Sequence, residues 1–306
     1  MGMDHAMRFA EPDSIEEVLS LLAADPEARC LAGGATLVAM MNAGLTAPSL
    51  LVSLRKLPGL ASIDPQADGA VRVGAMARHA TVAAHDGFAG AQAILAAAAR
   101  RIGHPAIRTM GTIGGSISHA DPSADYPTAI TAADAVVEIA GPEGARAVPA
   151  DEFFVDWLET ALAPGEIVTG VVVPPDATDA AVHYEKFTRA DGDFATVAAA
   201  ACVALAEDGA VAALRVAAGG VAPTPIRRRE AEAALIGRPL TEDGLAALGA
   251  ALADLSDPID DMRGSADYRR RLLPRIVGRA VRRAAAAFTA RSGARSGTGP
   301  QAGGVA

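Results

Sequence analysis

Residues 14–24 repeat apolar side chains at helical spacing. Ile15, Val18, Leu19 and Leu22 share one face, behind a capping-box-like start at Asp13 and Glu16. A short apolar run at 29–32 reads as a strand, ends in Gly33-Gly34, and gives way near Thr36 to a helical stretch carrying Leu37, Val38, Met40 and Met41. Strands follow at 50–54 and 71–74, an alanine-rich helix at 88–102, and further strands at 136–140 and 166–173. Pro174-Pro175 then marks a domain boundary. Beyond it, 184–188, 196–205 and 211–218 read as three antiparallel strands, the last two joined by an Asp208-Gly209 turn. Helical patterns close the chain at 229–235, 243–252 and 266–288, and the Gly/Ser/Ala-rich end predicts a disordered tail. The class is α+β, with neither an internal repeat nor the regular alternation of a doubly wound sheet.

One interval breaks this pattern. Residues 102–127 are dense in Gly, His, Pro, Asp, Ser and Thr yet lie between apolar elements. A long polar loop inside a compact domain is usually functional.

Composition narrows the function. A net charge of −9 argues against nucleic acid as the main partner. No apolar stretch has the length of a membrane span, and residues 1–11 lack a secretory pattern, so a cytoplasmic location is the default expectation. The two cysteines, Cys30 and Cys202, sit apart in apolar strand-like stretches. They read as core residues and cannot form a zinc or iron–sulfur site between them. An arginine run around 269–283 reads as a solvated helix face or, less simply, a docking surface.

The candidate chemistry is concentrated in two glycine loops. The first, Ala32-Gly33-Gly34-Ala35-Thr36-Leu37, follows a strand and precedes a helix. Its glycines let backbone approach a ligand, and successive N–H groups can cradle a phosphate. It lacks the third glycine and acidic partner of a dinucleotide fingerprint and the Lys-Ser/Thr of a P-loop, so a plain corner is an equal reading. The second loop, Thr112-Ile113-Gly114-Gly115-Ser116, offers the same Gly-Gly pair with flanking hydroxyls. Asp125 follows, as a carboxylate for sugar-like hydroxyls, a helix N-cap, or both. His104 and His119 flank this loop without a metal-ligand partner set. Two such loops in one domain point to a pyrophosphate held from two sides.

A third cluster holds Lys186, one of only two lysines, and Phe194 after Gly192-Asp193. A strand cation can stabilise negative charge on a reduced ring cofactor, and an aromatic can lie against the ring. An exposed strand lysine and a core phenylalanine are the plainer readings.

In this order, Ala32-Gly33-Gly34, Thr112-Ile113-Gly114-Gly115, Ala120-Asp121-Pro122 with Asp125, and Gly192-Asp193-Phe194-Ala195-Thr196 resemble the medium, FAD-binding subunit of aerobic carbon monoxide dehydrogenase and its relatives in the xanthine dehydrogenase superfamily. The resemblance runs from Phe9 to Arg269. It implies a two-subdomain FAD-binding domain of the vanillyl-alcohol oxidase-like type over 1–176, with subdomains of about 1–58 and 59–176. A small C-terminal domain with a three-stranded antiparallel sheet and helices would fill 177–290, and 291–306 would be tail. By position it implies that Ala32–Leu37 and Thr112–Ser116 bind the FAD diphosphate, Asp125 holds the polyol, Lys186 lies near the flavin ring and Phe194 beside it. Ile102 and Thr169 fall near further contacts. Ala35-Thr36, Ser116 and Phe194 depart from the His-Ser, Asn and Tyr common in the carbon monoxide enzymes.

The resemblance further implies an electron-transfer subunit in a dimer of heterotrimers. Molybdopterin would sit on a large subunit and [2Fe-2S] clusters on a small one, with an external electron acceptor. The substrate would be carbon monoxide or, failing that, an N-heterocycle or purine. Two rivals stand beside it. A stand-alone FAD oxidoreductase would be reduced directly by an organic substrate. A non-flavin interaction subunit would stay colourless when offered FAD.

Overall fold

The structure is a computed structural model that describes residues 7–296. The chain opens with β1 (Arg8–Ala10), α1 (Ile15–Ala24), β2 (Arg29–Leu31), α2 (Leu37–Asn42) and β3 (Leu50–Ser53). The three strands form a parallel sheet in the order β1-β3-β2, with Val18 of α1 packed against Leu50 and Val52. The cap of α1 is one residue later than the sequence pattern predicts: the Ser14 hydroxyl accepts from the Glu17 amide, and the Glu17 carboxylate accepts from the Asp13 amide.

Next come β4 (Ile63–Pro65), β5 (Val71–Gly74), α3 (His79–Ala84), α4 (Ile94–Ala99), α5 (Pro105–Met110), α6 (Ile113–His119), α7 (Asp125–Ala132), β6 (Val136–Gly141), β7 (Gly144–Pro149), α8 (Ala150–Phe153), β8 (Phe154–Asp156), β9 (Glu159–Thr160) and β10 (Ile167–Val173). A five-stranded antiparallel sheet, β4-β5-β10-β6-β7, backs the helices, and β8 and β9 form a hairpin. Two expectations change here. The interval 102–127 is not one loop but carries α5, α6 and the start of α7. These elements have six to eight residues each, too short to hold without tertiary packing, which Ile113 and Ile117 supply for α6 and Tyr126 for α7 as fully buried side chains. The helix expected over 88–102 shrinks to a 3₁₀ turn at Gly90–Ala93 followed by α4. Gly90 has φ +51° there, and the Asp176 carboxylate accepts from the Ala91 amide.

The last part holds β11 (Ala181–Phe187), β12 (Val197–Leu205), β13 (Val211–Gly219), β14 (Ile226–Arg227), α9 (Arg229–Ala233), α10 (Glu242–Ala253) and α11 (Ala266–Ser296). The antiparallel sheet has four strands, β11-β12-β13-β14, rather than the three expected; two-residue β14 is too short to leave a hydrophobic period. Strand β12 explains the alanine richness. Ala198, Ala200, Cys202 and Ala204 join the core between the five-stranded sheet and its helices, while Val197, Ala199, Ala201 and Val203 join the core under α10 and α11. A strand covered on both faces takes small side chains where helices press close. The chain is helical to Ser296, six residues into the stretch expected as tail; 297–306 lie outside the described residues.

The arginine run is in the main a solvated helix face, with Arg270, Arg271, Arg275, Arg279, Arg282 and Arg283 exposed, and Arg269 is the exception. Arg269 is buried and donates to the Thr196 and Gly220 carbonyls and to Asp261. Arg279 and Arg283 both pair with the buried Glu185, and Arg282 with Glu242. No helix among the described residues is long and apolar enough to cross a membrane.

Candidate functional site

A cleft of about 790 Å³ opens between the ends of β2 and β3 and the α5–α6 layer, within the range of cofactor pockets. Its walls include Ala32, Gly33, Gly34, Ala35, Thr36, Leu37, Ile102, Thr112, Gly114, Gly115, Ser116, Asp125 and Phe194. The structure thus gathers residues spread over 160 positions of sequence into one cavity. Ile113, Thr169 and Lys186 do not line it. Ile113 points into the core. Thr169 is buried on β10, where its carbonyl accepts from Ala75 and Arg72.

The two glycine loops touch. A β-carbon on Gly33 would sit 1.8 Å from the Met110 carbonyl oxygen, and one on Gly114 would sit 2.5 Å from Ala75 Cβ. Only glycine permits these backbone approaches. The loops nevertheless differ in what they offer. The amides of Gly33, Gly34, Ala35, Thr36 and Leu37 donate to no protein acceptor among the described residues, so the first loop presents a run of free N–H groups to an anion. In the second loop the Ile113 and Gly114 amides bond to the Ala77 and Ala75 carbonyls. Those of Gly115 and Ser116 bond to the Thr112 hydroxyl and carbonyl. That loop therefore contributes close approach and hydroxyls rather than a second N–H cradle, because its amides dock α6 onto the segment after β5.

At the cleft floor, Lys186 Nζ donates to Asp125 Oδ2 at 2.8 Å and to the Arg101 carbonyl at 3.1 Å. The side chains are 1% and 4% exposed. Burial pushes the Asp125 carboxyl above the usual carboxylate range, and the Lys186 ammonium pulls the other way. Asp125 Oδ1, Tyr184 Oη and Thr128 Oγ1 are buried and make no hydrogen bond of good geometry, but the Tyr184 hydroxyl lies close to both the Asp125 carboxylate and Thr128. Asp125 is the first residue of α7 and Ala124 its cap, so the carboxylate is left free of capping duty.

Sequence reasoning missed His79, which lines the same cleft at the start of α3. Its ring lies beneath Gly111 and 5.3 Å from the Tyr126 ring, and its Nδ1 has no partner. Burial, aided by the Arg108 charge, lowers its pKa to about 4, so the imidazole is neutral near pH 7. A histidine between an arginine and an alanine gives no periodic signal that separates it from a surface residue. Phe194 is 41% exposed at the mouth, with the Arg263 guanidinium 5.3 Å from its ring centroid. Cys30 also lines the cleft, with burial pushing its thiol up to about 11, which leaves it unreactive. No group of three or more His, Cys, Asp or Glu side chains placed for a metal occurs among the described residues.

Free amides for a diphosphate, a buried carboxylate oxygen with no hydrogen bond of good geometry and an exposed aromatic suit an extended flavin nucleotide. Comparison with known proteins agrees. Residues 5–176 match the FAD binding domain in molybdopterin dehydrogenase, and residues 182–284 the carbon monoxide dehydrogenase flavoprotein C-terminal domain. The chain is 37% identical over 277 residues to the 6-hydroxypseudooxynicotine dehydrogenase complex subunit alpha of Paenarthrobacter nicotinovorans, covering 90% of this chain and 93% of that one. It is 35% identical to the carbon monoxide dehydrogenase medium chain of Afipia carboxidovorans, covering 91% and 96%. A solved structure of Cu,Mo-carbon monoxide dehydrogenase superposes with a TM-score of 0.88 at 34% identity, over 92% of this chain and 98% of that chain. The chain belongs to the FAD-binding medium subunits of the molybdenum hydroxylase family.

Proposed function

We propose that this chain is the electron-collecting subunit of a cytoplasmic molybdenum hydroxylase. It takes electrons from [2Fe-2S] clusters of a small partner and passes them to an external acceptor, while a large molybdopterin subunit oxidises the substrate. The assembly is a dimer of heterotrimers. The observation that carries this reading is the meeting of two glycine loops at one cleft, beside the buried Asp125. Bound FAD supplies the exchange between two-electron and one-electron chemistry. The chain's own residues bind and orient it. The amides of Gly33 to Leu37, with Thr36, Thr112 and Ser116, hold the diphosphate, Asp125 accepts from the polyol, and Phe194 lies against the ring. Val38, Ile107, Met110 and Phe194 leave apolar surface exposed on elements bordering the cleft, which supports docking of a partner there. We assign 1–176 to the FAD-binding domain, with subdomains of about 1–58 and 59–176, and 177–290 to the C-terminal domain. Relatives named for nicotine-derived substrates and for carbon monoxide resemble the chain about equally, so the substrate class rests with the large subunit.

The test is a visible absorption spectrum of the purified chain with and without FAD, then titrations of Thr112→Ala and Asp125→Ala. Near-equimolar flavin weakened by both substitutions supports the reading. A folded chain that takes up no flavin defeats it.

A further inference from the structure

Lys186 stands where a direct flavin contact is expected, yet its ammonium is 1% exposed and forms no part of the cleft wall. It reaches from β11, in the C-terminal part of the chain, to the first residue of α7, and donates to one oxygen of Asp125. The other oxygen, Oδ1, makes no hydrogen bond of good geometry, although the Tyr184 hydroxyl faces the carboxylate, and it belongs to a residue that does line the cleft. We propose that Lys186 is a positioning residue: it holds Asp125 ionised and oriented so that Oδ1 accepts a hydroxyl of the bound flavin nucleotide, and it does not itself touch the flavin. This inference rests on the assignment of the cleft to FAD.

Three features of the geometry support it. First, the neighbouring Glu185 points to the opposite face of β11 and pairs with Arg279 and Arg283, so those cations are committed elsewhere. Strand alternation therefore delivers a single ammonium to Asp125. Second, the Lys186 ammonium is pinned by the Arg101 carbonyl, which fixes its position against the carboxylate. Third, the surroundings of Asp125 hold no other side-chain cation in contact. The ionisable or polar groups facing it are Tyr184 from β11, the more distant Arg101 after α4, and, on its own helix, Tyr126 and Thr128. His79 from α3 lies against Tyr126 and is neutral. Without Lys186, burial favours the protonated Asp125 carboxyl unopposed by an adjacent ammonium, and the orienting bond is lost.

The experiment measures FAD affinity of the full chain from pH 6 to pH 9 for wild type, K186M, K186R, D125N and the D125N/K186M pair, with folding followed by circular dichroism. Wild type and K186R are expected to bind with little pH dependence. K186M is expected to bind about tenfold or more weakly at pH 6 and to recover as the pH rises, the loss of one charge-assisted bond. D125N and the pair are expected to be weak and flat with pH. Difference infrared spectra give a readout independent of binding: a protonated carboxyl band in K186M that is absent from wild type and from the pair. K186M with wild-type affinity and no such band overturns the inference while leaving FAD binding intact. A folded wild type that takes up no FAD overturns the parent reading instead. If K186M does not fold, the uncharged D125N/K186M pair decides: equal weakening in D125N and the pair supports coupling through Asp125, and further weakening in the pair places Lys186 on the flavin.

Discussion

Gly33 and Met110 meet backbone to backbone, so closely that a β-carbon on Gly33 would overlap the Met110 carbonyl oxygen at 1.8 Å. The contact closes the cleft at the point where the free amides of the first loop begin. Gly33→Ala must therefore push one loop away from the other. We expect a loss of about 1–3 kcal/mol in stability and at least a tenfold weaker FAD affinity. Urea unfolding and flavin titration check both. An alanine variant with normal flavin uptake would show that the loops need not touch.

His79 makes stability fall with acid. Its folded-state pKa is about 4 against 6.5 for a free histidine, first because it is buried and then because of Arg108. Above pH 6.5 neither state takes up the proton, and stability is complete. As pH falls from 6.5 to 4 the unfolded chain binds a proton that the folded chain refuses, at a total cost of about 3 kcal/mol. Urea midpoints measured across this window should decline in the wild type and decline less in His79→Gln. Identical slopes in the two proteins would remove His79 as the cause.

These residues also mark how far the sequence could be read. Both glycine loops, the Asp208-Gly209 turn and the three long strands β11, β12 and β13 are visible because a Gly pair marks a turn and a sustained period marks a strand, although a Gly pair alone does not separate a ligand loop from a plain corner. The helices between Pro105 and Ala132 are not visible: Gly, Pro and Ser break their propensity, and burial of Ile113 and Ile117 holds α6 as burial of Tyr126 holds α7. Lys186 could be placed on a strand by alternation, but which face it takes depends on α7 packing there, a contact 61 residues away in sequence. That the amides of one loop are free and those of the other spent follows from where α6 docks, which no local pattern records.

Phe194 separates binding from stability. It is 41% exposed, and among the described residues its one ring partner is Arg263. Phe194→Ala should change the unfolding free energy by about 0.5 kcal/mol or less. It should nevertheless alter the visible spectrum and weaken the affinity of bound FAD, since an aromatic against the flavin ring is lost. A large loss of stability with an unchanged flavin spectrum would make Phe194 a packing residue and move the ring's contact elsewhere.

Arg269 braces the flavin end of the cleft from behind. Its guanidinium, 3% exposed, donates at 2.7 Å to both the Thr196 and Gly220 carbonyls and at 2.6 Å to Asp261. Thr196 lies two residues past Phe194. Gly220 donates to the Pro122 carbonyl, and Ala195 to that of Ser123, just ahead of Asp125. One side chain thus ties the C-terminal helix to the two segments that carry the candidate flavin contacts. Arg269→Ala removes the side-chain donor from two buried carbonyls and one of several partners from Asp261, which keeps the Arg263 and Gly264 amides, at an expected cost of about 3–5 kcal/mol. Arg269→Lys keeps the charge but not the fork, and should recover only part of that. FAD affinity should fall in the same order, wild type above lysine above alanine, because the strain is relayed through Thr196 and Gly220. If urea midpoints fall in this order while flavin affinity stays constant, Arg269 stabilises the fold without positioning the site.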